Sequence, residues 1–263
     1  MRREEADSLQ FAATYKALAE VAEILDDFDG AVIAGGTVPF LLVPQEEEPH
    51  EGTVDIDVVL DAVNLRGGSE LTLHEILERR LFAQDTRRPY RYSKAIQIEG
   101  QSREVLIELL GGGTPPAGGL RRIAHEDVWV SVIEGMEIAL IDPIATSVAT
   151  DCSVRVASIS GFCAMKAVGL ERREDAKKAK DAYDIVYCLR NYTGGVDAIA
   201  HEILKRLPQP ILENAIRLLT AQFASQYALG PNAYAQRATS EELGASMRRE
   251  AFEYVNDLLD RLP

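Results

Sequence analysis

Two aspartates, Asp55 and Asp57, interrupt an otherwise apolar run, Val54-Asp55-Ile56-Asp57-Val58-Val59-Leu60. In a strand, side chains alternate between faces. The two carboxylates therefore share one face, with Val54, Ile56, Val58 and Leu60 on the other. Like charges side by side are costly unless a cation sits between them. Hard divalent ions such as Mg²⁺ take oxygen ligands of this kind, one or two carboxylates together with phosphate oxygens. Upstream, Ala31 to Ala34 reads as a short buried strand. Gly35, Gly36 and Thr37 follow, then a helix with Pro39 in its first turn, where proline is tolerated because the first N–H groups lack intrahelical partners. A glycine pair at a strand-to-helix turn lets backbone N–H groups approach a phosphate closely. The plainer alternative is a hairpin edge with two solvated aspartates. The Gly-Gly turn and Thr53, just before the pair, favour the phosphate-and-metal arrangement.

A third carboxylate comes from the segment Tyr90 to Leu110, which reads as a hairpin turning at Glu99-Gly100-Gln101-Ser102. On its return strand Leu106, Glu108 and Leu110 share a face, opposite Val105, Ile107 and Leu109. An acid in an apolar strand wants a partner or a metal. Glu104 lies on the same face as Glu108 and competes for that place. A solvent-facing Glu108 on an edge strand is the alternative.

Gly35-Gly36-Thr37, followed by Thr53-x-Asp55-Ile56-Asp57 and an apolar tail, resembles the first motif of the nucleotidyltransferase superfamily, in particular the AbiEii-type branch of bacterial toxin–antitoxin and abortive-infection systems. That branch commonly carries an arginine shortly before the threonine; here His50, Glu51 and Gly52 stand there, after an acidic loop that begins at Pro44. The resemblance implies a mixed α/β sheet flanked by helices. It also places the third metal carboxylate on the strand beside the Asp-x-Asp strand, where Glu108 falls. A second pattern of the branch is an inward lysine, an arginine-containing link and Lys/Arg-Asp-x-x-Asp. Lys166, Arg173, Lys180-Asp181 and Asp184 resemble it, in the expected order. Taken alone, that stretch also reads as a salt-bridged helix with (i, i+4) pairs Lys177/Asp181 and Lys180/Asp184. The resemblance implies Asp55, Asp57, Glu108, Lys166 and Asp181 as catalytic residues. Asp55, Asp57 and Glu108 would hold two Mg²⁺ ions, and Gly35, Gly36, Thr37 and Thr53 would bind the phosphates of a nucleoside triphosphate. The implied activity is transfer of a nucleotide to a tRNA or protein hydroxyl by the toxin of a toxin–antitoxin pair, with a cognate antitoxin as partner. A catalytically silent binding module, favoured by the residues before Thr53, and an antibiotic-type small-molecule nucleotidyltransferase are the alternatives.

The rest of the chain must position these groups. The 263 residues can bury a full core. A formal charge of -14 argues against a sequence-independent nucleic-acid binder. Within this acidic chain, Arg79, Arg80, Arg87, Arg88, Arg91 and Lys94 concentrate positive charge, with Phe82, Tyr90 and Tyr92 as stacking faces for an RNA acceptor. A solvated helix end and strand edge is the alternative there. Cys152, Cys163 and Cys188 read as reduced core thiols of a cytoplasmic protein. No signal peptide or membrane span is expected.

Helices are expected over residues 8–28, capped by Ser8, and over 72–82. Gly111 to Gly119 reads as a flexible loop, and Val128–Val132 with Met136–Leu140 as a strand pair. An α/β domain over residues 1–145 gives way to a helical domain over 146–263. The helical part includes a helix capped by Ser160, one within 171–192, one from Ile211 to Phe223, and a last one opened by a capping box at Thr239 to Glu242. A lysine at position 166, flanked by Phe162, Met165 and Leu170, either snorkels to water, pairs with an acid such as Asp181, or reaches the triphosphate.

Overall fold

The computed structural model describes residues 3–45, 49–149, 152–171 and 173–263. The centre of the acidic loop, residues 46–48, and Arg172 within the 171–192 stretch lie outside the described residues. Two compact units form: Met1–Leu41 with Glu51–Ala157, and Leu42–His50 with Ser158–Pro263.

The first unit is built on a mixed sheet. Helix α1 (Arg3–Asp26) is followed by β1 (Phe28–Asp29), β2 (Ala31–Ala34), α2 (Thr37–Leu42), β3 (Asp55–Leu60), β4 (Arg66–Gly67), α3 (Leu73–Arg79) and β5 (Ala83–Gln84). Then come β6 (Arg91–Ile98), β7 (Gln101–Gly111), β8 (Leu120–Ile123), β9 (Val128–Val132), a 3₁₀ turn (Met136–Leu140), β10 (Ile144–Ala149) and β11 (Cys152–Val156). The sheet runs β10-β11-β2-β3-β7-β6-β5, with the β8–β9 hairpin attached to the end of β7. Strand β3 lies antiparallel to β2 and parallel to β7. Because β3 is central, Val58, Val59 and Leu60 are buried on both faces, and only Asp55 and Asp57 keep partial exposure.

Several expectations change here. Helix α1 begins at Arg3, so Ser8 lies within it and is not its cap. Val54 is 56% exposed and precedes the strand, so it does not extend the apolar face. Thr72 caps α3 with a full capping box, and the helix stops at Arg79 rather than Phe82. Met136–Leu140 is a 3₁₀ turn, and β9 pairs instead with β7 and β8. Gly111 is the last residue of β7, and the connection after it is tied down where Glu137 Oε2 accepts from the Gly113 and Gly135 N–H groups, 2.8 and 3.0 Å away. Strands β10 and β11 carry the sheet on to residue 156, so the helices begin at Ile159 rather than near 145. Cys163 and Cys188 are buried free thiols, but Cys152 is only half-buried on β11.

The hairpin turn is tighter than the sequence pattern implied. Glu99 (φ +49°) and Gly100 (φ +77°) alone make it, and Gln101 and Ser102 already pair with Ile98 and Gln97. Positive φ at both central residues is the geometry that matches the strand twist. The register that follows sets Arg91 opposite Glu108.

The second unit is helical: α4 (Ile159–Leu170), α5 (Asp175–Asn191), α6 (Gly195–Arg206), α7 (Pro210–Gln222), α8 (Leu229–Ala235) and α9 (Glu241–Leu259). The cap of α4 is Ser158, whose hydroxyl accepts from the Gly161 N–H at 3.1 Å; Ser160 lies inside the helix. Likewise α9 is capped by Ser240, which accepts from Leu243, and not by a box at Thr239. The core of this unit includes Phe162, Ile185, Tyr187, Leu219 and Val255. Among the described residues, no helix is long and apolar enough to cross a membrane.

Candidate active site

In the first unit, register assembles the acidic group. Asp57 pairs across β3–β7 with Glu108, and Asp55 stands two residues earlier on the same face. One carboxylate oxygen from each of Asp55, Asp57 and Glu108 lies within 4.8 Å of the others, and all three residues are half-buried. Glu104 is exposed and opposite Ala95, which removes it as a competitor. An all-oxygen set of three close carboxylates suits a hard cation such as Mg²⁺.

The glycine turn has a steric reason in the same place. Ala34 pairs with Asp57, and a Cβ on the next residue, Gly35, would sit 1.8 Å from Asp57 Oδ2. Gly35 also has φ +64°, a conformation that costs other residues strain. A Cβ on Gly36 would lie 2.8 Å from Thr53 Cβ. The Thr53 hydroxyl in turn donates to Asp55 Oδ1 at 2.5 Å, which orients that carboxylate. Thr37 is 3% exposed and its hydroxyl is buried without a hydrogen-bond partner. Gly35→Ala is therefore expected to displace the Asp57 carboxylate and cost about 1–3 kcal/mol. Wild type is expected to melt higher with Mg²⁺, and that rise should be absent from the variant in calorimetry; a retained rise would show that the carboxylate keeps its place.

In the second unit a buried charge network joins α4 and α5. Lys166 Nζ lies 2.8 Å from Asp181 Oδ1 and 2.7 Å from Asp184 Oδ2. Arg173 donates to Asp181 at 3.0 Å, and Lys180 and His50 contact Asp184 Oδ1 at 2.9 and 3.0 Å. Both aspartates are fully buried and the Lys166 side chain is 11% exposed, so Lys166 does not snorkel. Burial alone would raise the Asp184 carboxyl, but Lys166, the His50 hydrogen bond and Lys180 outweigh it and hold the group well below the usual carboxylate range. Burial alone would lower Lys166, but Asp184 and Asp181 hold it above the ordinary lysine value. Asp181 is taken up by Lys166 and Arg173 rather than by its own helix neighbour Lys177, whereas the Lys180/Asp184 pair forms as spaced.

His50 carried no signal beyond standing where an arginine was expected. It is 5% exposed, stacks on Tyr183 at 5.5 Å, and meets Tyr187 edge-on at 4.8 Å. Burial lowers its pKa below the ordinary value, so the ring is neutral near pH 7.

The basic stretch 79–94 is largely reassigned. Phe82 and Tyr92 are fully buried and offer no stacking face. Arg80 pairs with Glu23 at 2.9 Å, Lys94 with Glu20, and Arg91 with Glu108. Arg79, Arg87 and Arg88 remain exposed, with Tyr90 half-buried beside them.

A carboxylate cluster on the central strands of a mixed sheet, facing a Gly-Gly turn and followed by a helical unit, defines a nucleotidyltransferase fold. The chain matches the family described as nucleotidyl transferase AbiEii toxin, type IV toxin–antitoxin system, over residues 16–242. It belongs to that family and is a nucleotidyltransferase, an enzyme of the phosphorus-transferring class. Among solved structures, JHP933 from Helicobacter pylori is similar, at 14% identity and a TM-score of 0.45, over 95% of this chain and 93% of that one. No curated protein matches the chain.

Proposed function

We propose that the protein transfers a nucleotide from a nucleoside triphosphate to a macromolecular hydroxyl, as the toxin of a pair with a cognate antitoxin. The observation that carries this reading is the convergence of Asp55, Asp57 and Glu108 within 4.8 Å beside the Gly35-Gly36 turn. These three carboxylates would hold two Mg²⁺ ions, which activate the acceptor hydroxyl and neutralise phosphate charge when bound. Thr53 fixes the Asp55 carboxylate, Gly35 leaves room for that of Asp57, and the backbone N–H groups of Gly36 and Thr37 would receive the phosphates.

Lys166, Lys180 and Arg173 bring three positive charges against the two of Asp181 and Asp184, since His50 is neutral. One positive charge in excess suits an anionic ligand such as a polyphosphate. The intact carboxylate cluster favours turnover over a silent binding module. The test is incubation with each labelled nucleoside triphosphate, Mg²⁺ and a cell extract. Label in an RNA or protein fraction, lost with Asp57→Asn, is the expected result; label only in small molecules would sink the macromolecular reading.

An RNA acceptor would meet the exposed charges of Arg79, Arg87 and Arg88. Reversing both Arg87 and Arg88 to glutamate is expected to weaken RNA binding and flatten its salt dependence by up to about two units of slope. An unaltered slope with unaltered labelling would assign the acceptor to protein.

A further inference from the structure

Of the six cations between residues 79 and 94, one faces the acidic cluster. Arg91 on β6 stands directly opposite Glu108 on β7, and its Nη2 donates to Glu108 Oε1. Both side chains are largely withdrawn from water, at 22% and 19% exposure. Across the next pair of strands Glu108 stands opposite Asp57. One guanidinium thus stands at the end of a row of three carboxylates. It holds Oε1 and leaves the second oxygen of Glu108 for another partner. Arg91 Nε is buried without a hydrogen-bond partner. Among the described side-chain contacts, Glu108 alone holds this guanidinium. It keeps its charge at every accessible pH.

We propose that Arg91 is the built-in counter-ion of the metal site, an inference that rests on the metal reading above. It is a positioning residue. Without a metal it offsets part of the repulsion among Asp55, Asp57 and Glu108 and keeps Glu108 in line. Its fixed charge also opposes an arriving divalent cation. Free metal therefore binds weakly, and tight loading waits for the extra oxygens that a triphosphate brings. A unit charge a few ångströms from a divalent ion, in partly screened surroundings, is enough to change affinity about tenfold.

The test uses Mn²⁺ alone, without nucleotide, on the full chain. Binding is followed by titration calorimetry, and melting temperature is measured in chelator and in saturating Mn²⁺. Arg91→Met is expected to bind Mn²⁺ about tenfold more tightly than wild type, to melt lower in chelator, and to recover that loss when Mn²⁺ is added. Arg91→Gln, which keeps a donor and loses the charge, is expected to do the same, and it carries the test should the methionine variant not fold. Arg91→Lys should stay near wild type. A purely structural arginine would leave the stability loss unrepaired by metal. That result, or unchanged Mn²⁺ affinity in the neutral variants, overturns the inference while the metal site stands. Equal Mn²⁺ binding by wild type and Asp57→Asn would instead remove the metal site itself, and this inference with it.

Discussion

Asp57→Asn is expected to reduce nucleotide transfer by about a thousandfold or more while leaving the fold intact. The substitution keeps the shape of the side chain beside Gly35 and removes its charge. A metal ion stabilises the transferring phosphoryl by several kcal/mol, and at 1.36 kcal/mol per tenfold that range corresponds to about three powers of ten. Folding stability should move the other way. Asp57 shares its face with Asp55 and stands opposite Glu108, so deleting one of three close carboxylates relieves repulsion in the metal-free protein. Melting in chelator is therefore expected to be unchanged or slightly higher, and the Mg²⁺-dependent rise expected of the wild type should be absent. A variant that still gains stability from Mg²⁺, or still transfers at the wild-type rate, would exclude Asp57 as a metal ligand.

Lys166→Met carries the largest expected effect on stability. Of the alternatives open to this lysine, the structure shows the pairing with acid: Lys166 is the cation shared by two fully buried aspartates. Removing it strands buried negative charge, at about 3–5 kcal/mol, or on the order of 10 °C in melting temperature for a chain of this size. Arg173 on Asp181, and Lys180 and His50 on Asp184, compensate only in part. In a double-mutant cycle with Asp184→Asn the two losses should therefore be strongly non-additive. Independent, additive losses would mean that the ion pair contributes nothing.

The pH dependence has a definite sign. Asp184 is depressed in the folded state, so its contribution is present above the ordinary carboxylate range and is lost as the solution becomes more acid. Lys166 is raised, so its contribution is full below the ordinary lysine value and fades only in stronger base. Wild-type stability from Asp184 and Lys166 is flat through neutral pH. The deficit of Lys166→Met should narrow as pH falls into the carboxylate range, where protonation removes the stranded charge. Lys166→Arg is expected to rescue poorly, since a planar fork does not replace a compact ammonium between two carboxylates.

Much of the first unit's candidate site was legible in the residues. Alternation along Asp55–Leu60 and a glycine pair after Ala31–Ala34 are local signals, and local signals survive folding when the strand is central and buried. Glu108 was legible for the same reason, as an acid in a strand whose alternate residues are apolar. The order Lys166, Arg173, Asp181, Asp184 could likewise be read along the chain, because helix spacing puts the two aspartates on one face.

What depended on tertiary structure came from register and burial. A four-residue turn at 99–102 would have set Arg91 opposite Leu110; the two-residue turn shifts the pairing and delivers Arg91 to Glu108. Sequence shows a charged residue but not its partner, so Arg80, Arg91 and Lys94 read as a basic surface until α1 and β7 supplied their acids. Strands β10 and β11 were hidden because each lies near the sheet edge, where polar alternation resembles a loop. His50 became a buried partner of Asp184 only through a contact across 134 positions of chain, which no local pattern encodes. The sequence alone thus determined which chemical groups could act and which elements carry them. Long-range pairing decided which charges neutralise one another, because that depends on distances set by strand register and helix packing rather than by spacing along the chain.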